Sequence, residues 1–249
     1  ENYTIVFAAG NDRDSYSLYN PNRNGKDLLS QGGVSKNTVT VAATKGTENF
    51  TGITGNQSVS GSNQFIVGFS NFGPTDDFRI KPDIAAKGGD VTSITAAGIS
   101  ATATYSGTSM AAPAVTGVFT LWQQYYKQLF SNPMKSSTVR ALMAHTARET
   151  GPAAGPDFMF GWGLIDADKG KQIMDQVTTE HAKVSEFAIQ QGAQMVYEFT
   201  YTGAEPLVAT LAWNDPAATA TTSTLNVPRL VNDLDLRIVR PNGVEVLPW

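Results

Sequence analysis

Residues 107–113 read GTSMAAP and lead into the most apolar stretch of the chain. Apolar positions recur there at intervals of three and four residues as far as Tyr125, and small residues occupy the first turns. The spacing predicts a long buried helix over residues 109–130. Ser109 then stands at the helix N-terminus, where its N–H has no helical partner and the helix dipole favours negative charge beside its hydroxyl. A serine in that place is most often an N-cap, so a second feature is needed to indicate chemistry.

The second feature is the tetrapeptide AAGN at residues 8–11. It ends an apolar, β-branched run over residues 3–9, the pattern of a buried parallel strand. Gly-Asn after a strand is usually only a turn. Opposite Ser109, however, the amide of Asn11 would supply a second hydrogen-bond donor to a negatively charged oxygen. Pro113 lacks the N–H that would bond the Ser109 carbonyl, which loosens the first turn of the helix.

Together, the two stretches resemble the signature motifs of the subtilisin-like serine proteases. GTSMAAP matches the family's nucleophile motif at every position, and residues 9–11 match its oxyanion-asparagine motif. Supporting motifs follow in the family's order at residues 70–74 (SNFGP), 81–84 (KPDI), 139–147 and 161–166 (GWGLID). The resemblance spans about residues 1–175. One departure is Lys87, where the family usually carries proline.

The resemblance implies a fold, a reaction and a set of site residues. The fold is α/β, a subtilisin-like parallel sheet with flanking helices over residues 1–178, incomplete on its N-terminal side. Ser109 is implied as the nucleophile of a serine endopeptidase acting on extended polypeptide, with Asn11 in its oxyanion hole. Substrate-binding roles are implied for Ala8, Ala9, Gly10, Gly107 and Thr108. We expect a bacterial, exported protein with an extracellular or periplasmic location.

The usual partner of a nucleophilic serine does not precede Ser109. A serine hydroxyl needs a general base, ordinarily a histidine held by a carboxylate, and in subtilisin both come before the serine. The only histidines, His145 and His181, follow it. We predict His145 on a helix face at the surface or at its boundary with the core, and His181 in a linker. We therefore expect the Asp, the His and the other substrate-binding wall in an upstream segment, so that this chain alone is inactive. Without that segment, apolar surface near the first strand should be exposed.

Two shorter helices are predicted after the first. Ser136 or Ser137 is the predicted cap of a helix with an inner face of Val139, Leu142 and Met143, and a third helix is predicted over residues 166–177. Helical spacing then gives way to alternation, which places the domain junction between about residues 171 and 185.

A second, partial all-β domain is predicted over residues 183–249. Apolar and polar side chains alternate over residues 195–202, 207–213 and 234–238, and a turn at 241–243 leads into residues 244–247. We expect these strands to pack mainly on each other. The segment is similar to the jelly-roll-like domain that follows the catalytic domain in one branch of these proteases. Asp233 and Asp235 would share one strand face and are candidate calcium ligands, although a solvated acidic face is the commoner outcome.

Composition narrows the remaining functions. Eighteen Lys and Arg residues against 22 Asp and Glu residues give a net charge of −4, with the basic residues scattered, which suits no nucleic acid. The absence of cysteine excludes thiol catalysis and cysteine-ligated metals. The apolar stretch 110–122 is too short to span a bilayer. The chemistry implied for Ser109 needs no cofactor, and structural calcium is the one metal that the family suggests.

Two other functions remain open. An α/β-hydrolase-like esterase would use Ser109, then Asp157 or Asp166, then His181, but Ala111 replaces the second glycine of its Gly-x-Ser-x-Gly elbow. A non-enzymatic surface-binding module built on the β domain would leave Ser109 as a helix cap. Labelling by a fluorophosphonate separates the enzymes from the binding module, and cleavage of denatured casein separates the protease from the esterase.

Overall fold

The computed structural model describes residues 3–46, 64–179, 181–203, 206–219 and 227–248. Its strands are β1 (Val6–Ala8), β2 (Val39–Gly46), β3 (Gln64–Ile66), β4 (Ile84–Lys87), β5 (Val91–Ile94), β6 (Thr102–Tyr105), β7 (Ile238–Val239) and β8 (Glu245–Val246). Its α-helices are α1 (Tyr16–Tyr19), α2 (Thr108–Phe130), α3 (Ser136–Thr146) and α4 (Ala167–Thr178). The Gly, Ser, Asn and Thr content of the tract 45–64 predicts an exposed excursion. Its ends belong to β2 and β3, and residues 47–63 lie outside the described residues.

Strand β2 is the centre of a four-stranded sheet. β1 runs parallel to its first half, with Val6 opposite Val39, and β4 runs parallel along its other edge, with Ile84 opposite Val41. β3 pairs antiparallel with the end of β2. The apolar runs at 3–9, 38–44 and 84–86 predict buried strands, and β1, β2 and β4 form there, although β1 spans only three residues and is half-buried. The run at 65–71 predicts another, of which only the start belongs to a strand, β3.

Both faces of β2 are covered, which explains its nearly continuous apolar sequence. Val39 and Val41 face one side and pack with Val115 and Trp122 of α2. The two later helices complete this main core with Val139, Leu142, Met143 and Met174. On the opposite face, Ala42 packs with Ala85 and Phe160. Helix α2 therefore lies across the sheet, and its first turn reaches the carboxyl ends of the parallel strands.

Helices α2 and α4 begin and end within one residue of the prediction. Helix α3 ends at Thr146, short of the predicted stop at Gly151 and Pro152, and its N-terminal cap is not the one expected. Lys135 occupies its N-cap position without a side-chain cap bond, so neither Ser136 nor Ser137 is the cap. Instead, Glu186 accepts the Lys135 N–H at 2.9 Å and a hydrogen bond from the Thr138 hydroxyl. A carboxylate there also meets the positive end of the helix dipole. A cap from 51 residues further along the chain leaves no local sequence signal.

Apolar surface is exposed beside β1, as predicted. Among the described strands, β1 pairs with β2 alone, so its other edge is open. Tyr3 and Ile5, just before it, expose 71% and 50% of their surface. One face of α2 is exposed as well, including Ala114, Gly117 and Leu121. The open edge and this helix face together form a surface suited to further packing.

The predicted β domain is not formed as expected. Residues 195–202 and 207–213 lie in no strand, and the described part of the tail contains only the two-residue pairing of β7 with β8. Val196 and Phe199 expose 77% and 61% of their surface. Alternation defines two faces, but a strand forms only where a neighbouring backbone takes up its hydrogen bonds. No such neighbour lies along these residues in the described ranges, so the jelly roll and the boundaries 1–178 and 183–249 stay predictions.

Polar contacts hold this segment against the α/β part. Asp215, only 4% exposed, accepts hydrogen bonds from Lys36 Nζ at 2.5 Å and from the N–H groups of Val231 and Asn232 at 2.9 and 2.8 Å. Burial acts to raise the pKa of Asp215, but these hydrogen bonds outweigh burial and hold the pKa below its ordinary value. Further bonds reach α3, where Arg140 Nη2 donates to Asn214 Oδ1 at 2.6 Å. The tail is therefore fastened at Lys36 and along α3.

Replacing Asp215 with asparagine should lower the free energy of unfolding by about 3 kcal/mol, because it leaves the partly buried Lys36 ammonium without its counter-charge. The folded pKa of Asp215 lies below the ordinary 3.8, so its stabilisation is complete at neutral pH and is lost as the pH falls through the folded pKa. Urea unfolding at pH 7 and pH 3 measures both effects. The matched control is Glu198→Gln, at an exposed carboxylate of the tail, which should change stability by no more than about 0.5 kcal/mol. Equal stabilities for the two variants would contradict the role given to the pair.

Candidate active site

The carboxyl end of β1 and the first turn of α2 meet through one buried side chain. The Thr108 hydroxyl accepts the Gly10 N–H at 3.1 Å and donates to Asn11 Oδ1 at 2.9 Å. The Thr108 N–H donates to the same oxygen at 2.9 Å. The structure thus joins the two motifs that the sequence singles out, although they lie 97 residues apart.

These bonds determine which way the Asn11 amide faces. Because Oδ1 accepts both Thr108 donors, the amide orientation is set by the hydrogen-bond network and Nδ2 is the outward atom. Asn11 is exposed, and its Nδ2 donates to no described residue. A Cβ placed on Gly107 would lie 3.6 Å from Nδ2, so this nitrogen lies beside the residue that precedes α2. A free amide donor is therefore held beside the N-terminus of α2.

Ser109 is the second residue of α2 and is exposed. The N-cap position belongs to Gly107, so Ser109 is not a helix cap, and its hydroxyl bonds to no described residue. The first N–H groups of a helix have no partner within the helix. Asn11 Oδ1 accepts the Thr108 N–H, so the Ser109 N–H is the next of these donors along α2. An exposed hydroxyl beside two free donors has the parts that acyl transfer requires.

The implied substrate-binding residues differ in what they expose. Ala8 and Gly10 are half-buried, whereas Ala9 and Gly107 are buried. Thr108 has no exposed surface, and its side chain supports Asn11. For all five residues, a role in binding substrate stays a prediction.

Asn71 is a residue of this site to which the sequence assigns no role. It belongs to the SNFGP motif, which indicates the family but not what the asparagine contacts. Asn71 is buried, and it bonds both to the Gly10 carbonyl and to Asp12, the residues on either side of Asn11. The motif was the only signal in the sequence that pointed to this residue.

Neither histidine serves Ser109 in the described structure. His145 is half-buried, as expected for a boundary residue; its Nδ1 lies 2.9 Å from Thr210 Oγ1, and burial lowers its pKa. His181 is exposed, with its Nδ1 3.1 Å from Thr179 Oγ1. That neither histidine is the general base stays a prediction.

The internal triad of an esterase is not assembled either. Asp157 Oδ1 accepts the N–H groups of Met159 and Phe160 at 2.6 and 2.8 Å, which makes it a turn residue. Asp166 caps α4 and pairs with Arg148 at 2.9 Å. The strand before Ser109 is β6, which among the described strands pairs only with β5 in an antiparallel hairpin, whereas a nucleophile elbow follows a strand of the central sheet.

Asp233 and Asp235 are exposed and lie outside any strand, so calcium there stays a prediction. Within the described ranges, no three His, Asp or Glu side chains gather where they could share an ion. None of the helices in those ranges has the length and hydropathy that a membrane span requires.

Known proteins are similar to this chain in sequence. The model of the subtilase family (peptidase S8) matches residues 1–163. The serine protease/ABC transporter B family proteins tagD and tagA of Dictyostelium discoideum are 29% and 27% identical to this chain over 238 and 208 residues. Each match covers 69% of this chain but only 13% and 11% of the relative, so the chain spans a small part of their length.

Two solved protease structures are also similar. The prenylagaramide maturation protease PagA is 21% identical, with a TM-score of 0.47, over 69% of this chain and 50% of that one. A mutant of the protease domain of PatA is 22% identical, with a TM-score of 0.48, over 70% and 49%. Because the family model spans residues 1–163 of 249, and the α/β sheet with its Asn11 and Ser109 motifs fits it, this chain belongs to the subtilase family of serine proteases.

Proposed function

We propose that this chain is the nucleophile-bearing part of a subtilisin-type serine endopeptidase. Ser109 Oγ attacks the carbonyl carbon of the scissile peptide bond, and the carbonyl oxygen becomes negative. That oxygen accepts hydrogen bonds from Asn11 Nδ2 and from the Ser109 N–H. The intermediate collapses to an ester on Ser109 as the amine leaves, and water then hydrolyses the ester.

One observation supports this proposal above the others. Asn11 Oδ1 is tied to both donors of Thr108, while Asn11 Nδ2 is free beside the start of the helix that carries Ser109. A turn asparagine or a capping serine needs no such arrangement. A donor fixed in advance stabilises charge that develops during the reaction without first having to reorganise.

The Ser109 proton needs an acceptor that the described residues do not supply. A histidine oriented by an aspartate would take the proton and pass it to the leaving amine. We propose that both belong to an upstream segment that packs against the open edge of β1 and the exposed face of α2. On this proposal the 249 residues are inactive alone, and that segment is their partner.

The substrate class, the location and calcium complete the proposal. Extended polypeptide is the substrate that membership of a protease family implies. Export to an extracellular or periplasmic location is proposed from the resemblance alone. The two relatives come from Dictyostelium discoideum, so they give no support to a bacterial source. Calcium bound by Asp233 and Asp235 remains a proposal for the tail.

In the full-length protein, replacing Asn11 with leucine should lower kcat by about 10² to 10³ with little change in KM, since the lost donor acts on the transition state. This magnitude is the one known for the oxyanion asparagine of subtilisin itself, carried over by family membership. Steady-state hydrolysis of a peptide substrate measures it. Asn22→Leu, at an exposed asparagine in the short 3₁₀ helix Pro21–Arg23 after α1, is the matched control and should behave as the parent does. A loss confined to KM, or no loss, would make Asn11 a turn residue only.

A further inference from the structure

The backbone turn that presents Asn11 rests on the side chain of Asn71. The Asn71 N–H donates to the Gly10 carbonyl at 3.0 Å, and Asn71 Oδ1 accepts the Asp12 N–H at 2.7 Å. Asn71 Nδ2 donates to Asp12 Oδ2 at 3.1 Å and to the Leu28 carbonyl at 3.0 Å. One residue therefore bonds the neighbours of Asn11 on both sides and anchors them to the loop at Leu28.

The fit between Asn71 and the turn is close. Asn71 is only 1% exposed, and its side-chain amide uses its oxygen and both N–H donors. Gly10 has a φ of +106°, and a Cβ at that position would lie 2.4 Å from Asn71 Nδ2. Glycine is thus required at position 10 both for its backbone conformation and for the contact. The turn cannot shift without breaking these bonds.

Asn11 is consequently held at two levels. Thr108 orients its side-chain amide, and Asn71 fixes the backbone from which that amide projects. A donor must lie within a few tenths of an ångström of its productive position, because a displacement of about 1 Å is enough to cost roughly 10²-fold in rate.

We propose that Asn71 is a positioning residue for the oxyanion donor Asn11. It touches no substrate and acts through the turn of residues 10–12. The inference deepens the proposed function and rests on it, because it assigns a role within the same site.

Ser70 provides the matched control. It is as buried as Asn71 and belongs to the same motif, but its hydroxyl accepts the Ala43 N–H at 3.0 Å and so holds β2. Ser70→Ala and Asn71→Ala each remove buried side-chain hydrogen bonds. Only the second loosens the turn that carries Asn11.

The main test is a double-mutant cycle in the full-length protein. Asn71→Ala should lower kcat by roughly 10-fold to 100-fold with a small change in KM, whereas Ser70→Ala should lower the melting temperature and leave kcat near the parent value. In the Asn11→Ala background, Asn71→Ala should cost less than about threefold further, since the donor that it positions is already gone. A purely structural residue would reduce kcat by the same factor in both backgrounds, and that result would overturn the inference.

Two further variants exchange the amide of Asn71 and the carboxylate of Asp12, so the contact can be tested even if Asn71→Ala does not fold. Asn71→Asp places a carboxylate against Asp12 and should lower kcat at least as much as the alanine variant. Adding Asp12→Asn restores a donor and an acceptor across the same contact and should recover kcat several-fold. Failure of the second change to recover any activity in a folded protein would contradict the role of this contact.

The 249-residue chain allows a readout without catalysis. The side-chain amide resonances of Asn11 should shift or broaden in Asn71→Ala and stay in place in Ser70→Ala; equal changes in both would count against the inference. If the full-length parent shows no hydrolysis that depends on Ser109, the proposed function itself fails. If that hydrolysis is present and the cycle is additive, only the inference about Asn71 fails.

Discussion

Replacing Ser109 with alanine in the full-length protein should abolish peptide hydrolysis and leave the fold unchanged. The hydroxyl supplies the atom that forms the acyl-enzyme, so no other group of the site replaces it. In the triad knockouts of subtilisin, the family's own reference, kcat falls by about 10⁶, and we expect a loss of that order here. Ser109 Oγ has no hydrogen-bond partner among the described residues and does not cap α2, so the stability of the variant should match that of the parent.

The control for Ser109→Ala replaces a serine that lies outside the site. Ser93→Ala, which removes an exposed hydroxyl on β5, should retain parental kcat and KM. Hydrolysis of denatured casein and thermal unfolding, measured on all three proteins, separate chemistry from folding. Parental activity in Ser109→Ala would remove Ser109 from the mechanism.

The isolated 249-residue chain should hydrolyse no peptide and should react very slowly with a fluorophosphonate. Without a general base, Ser109 keeps its proton near neutral pH, and only the oxyanion donors remain to promote attack. In subtilisin, a site without its triad still accelerates the reaction by about 10³ to 10⁴ over water, which is far less than the intact triad achieves. Adding the upstream segment as a separate polypeptide should restore labelling of Ser109 wherever the two parts associate.

Labelling kinetics followed by mass spectrometry of the modified peptide test this directly. The control is the same chain carrying Ser109→Ala, which should take up no label at that peptide in either condition. Rapid, stoichiometric labelling of the isolated chain, lost on His181→Ala, would contradict the missing-base proposal. It would favour the esterase with an internal triad.

Elements that depend on local pattern were predictable from the sequence. The buried strands at β1, β2 and β4 and the long helix α2 follow from apolar runs and helical spacing, and Ser109 and Asn11 follow from motifs. The hydrogen bonds by which Thr108 orients Asn11, and the support of the turn by Asn71, were not predictable. Each depends on contacts between residues about 60 to 100 positions apart, which no local pattern encodes.

In the tail, by contrast, the sequence pattern predicted a strand at residues 195–202 where the structure has none. The alternation there specifies two faces but not a pairing partner. The contacts that hold the tail instead involve polar residues such as Asp215, which carry no periodic signal. Likewise, the cap of α3 comes from Glu186 and not from the serines at its own N-terminus.

The ion pair between Lys36 and Asp215 also bears on how the protein folds and how long it lasts. The two residues are 179 positions apart, and closing a loop of that length costs about 5 kcal/mol of chain entropy. We expect such a contact to form late, after the sheet and α2 enclosed within the loop have assembled, and therefore to slow unfolding more than it speeds folding. Where unfolding is irreversible, the rate of unfolding sets the half-life of a protein. The pair should thus lengthen the half-life of the folded chain more than it shortens its folding time.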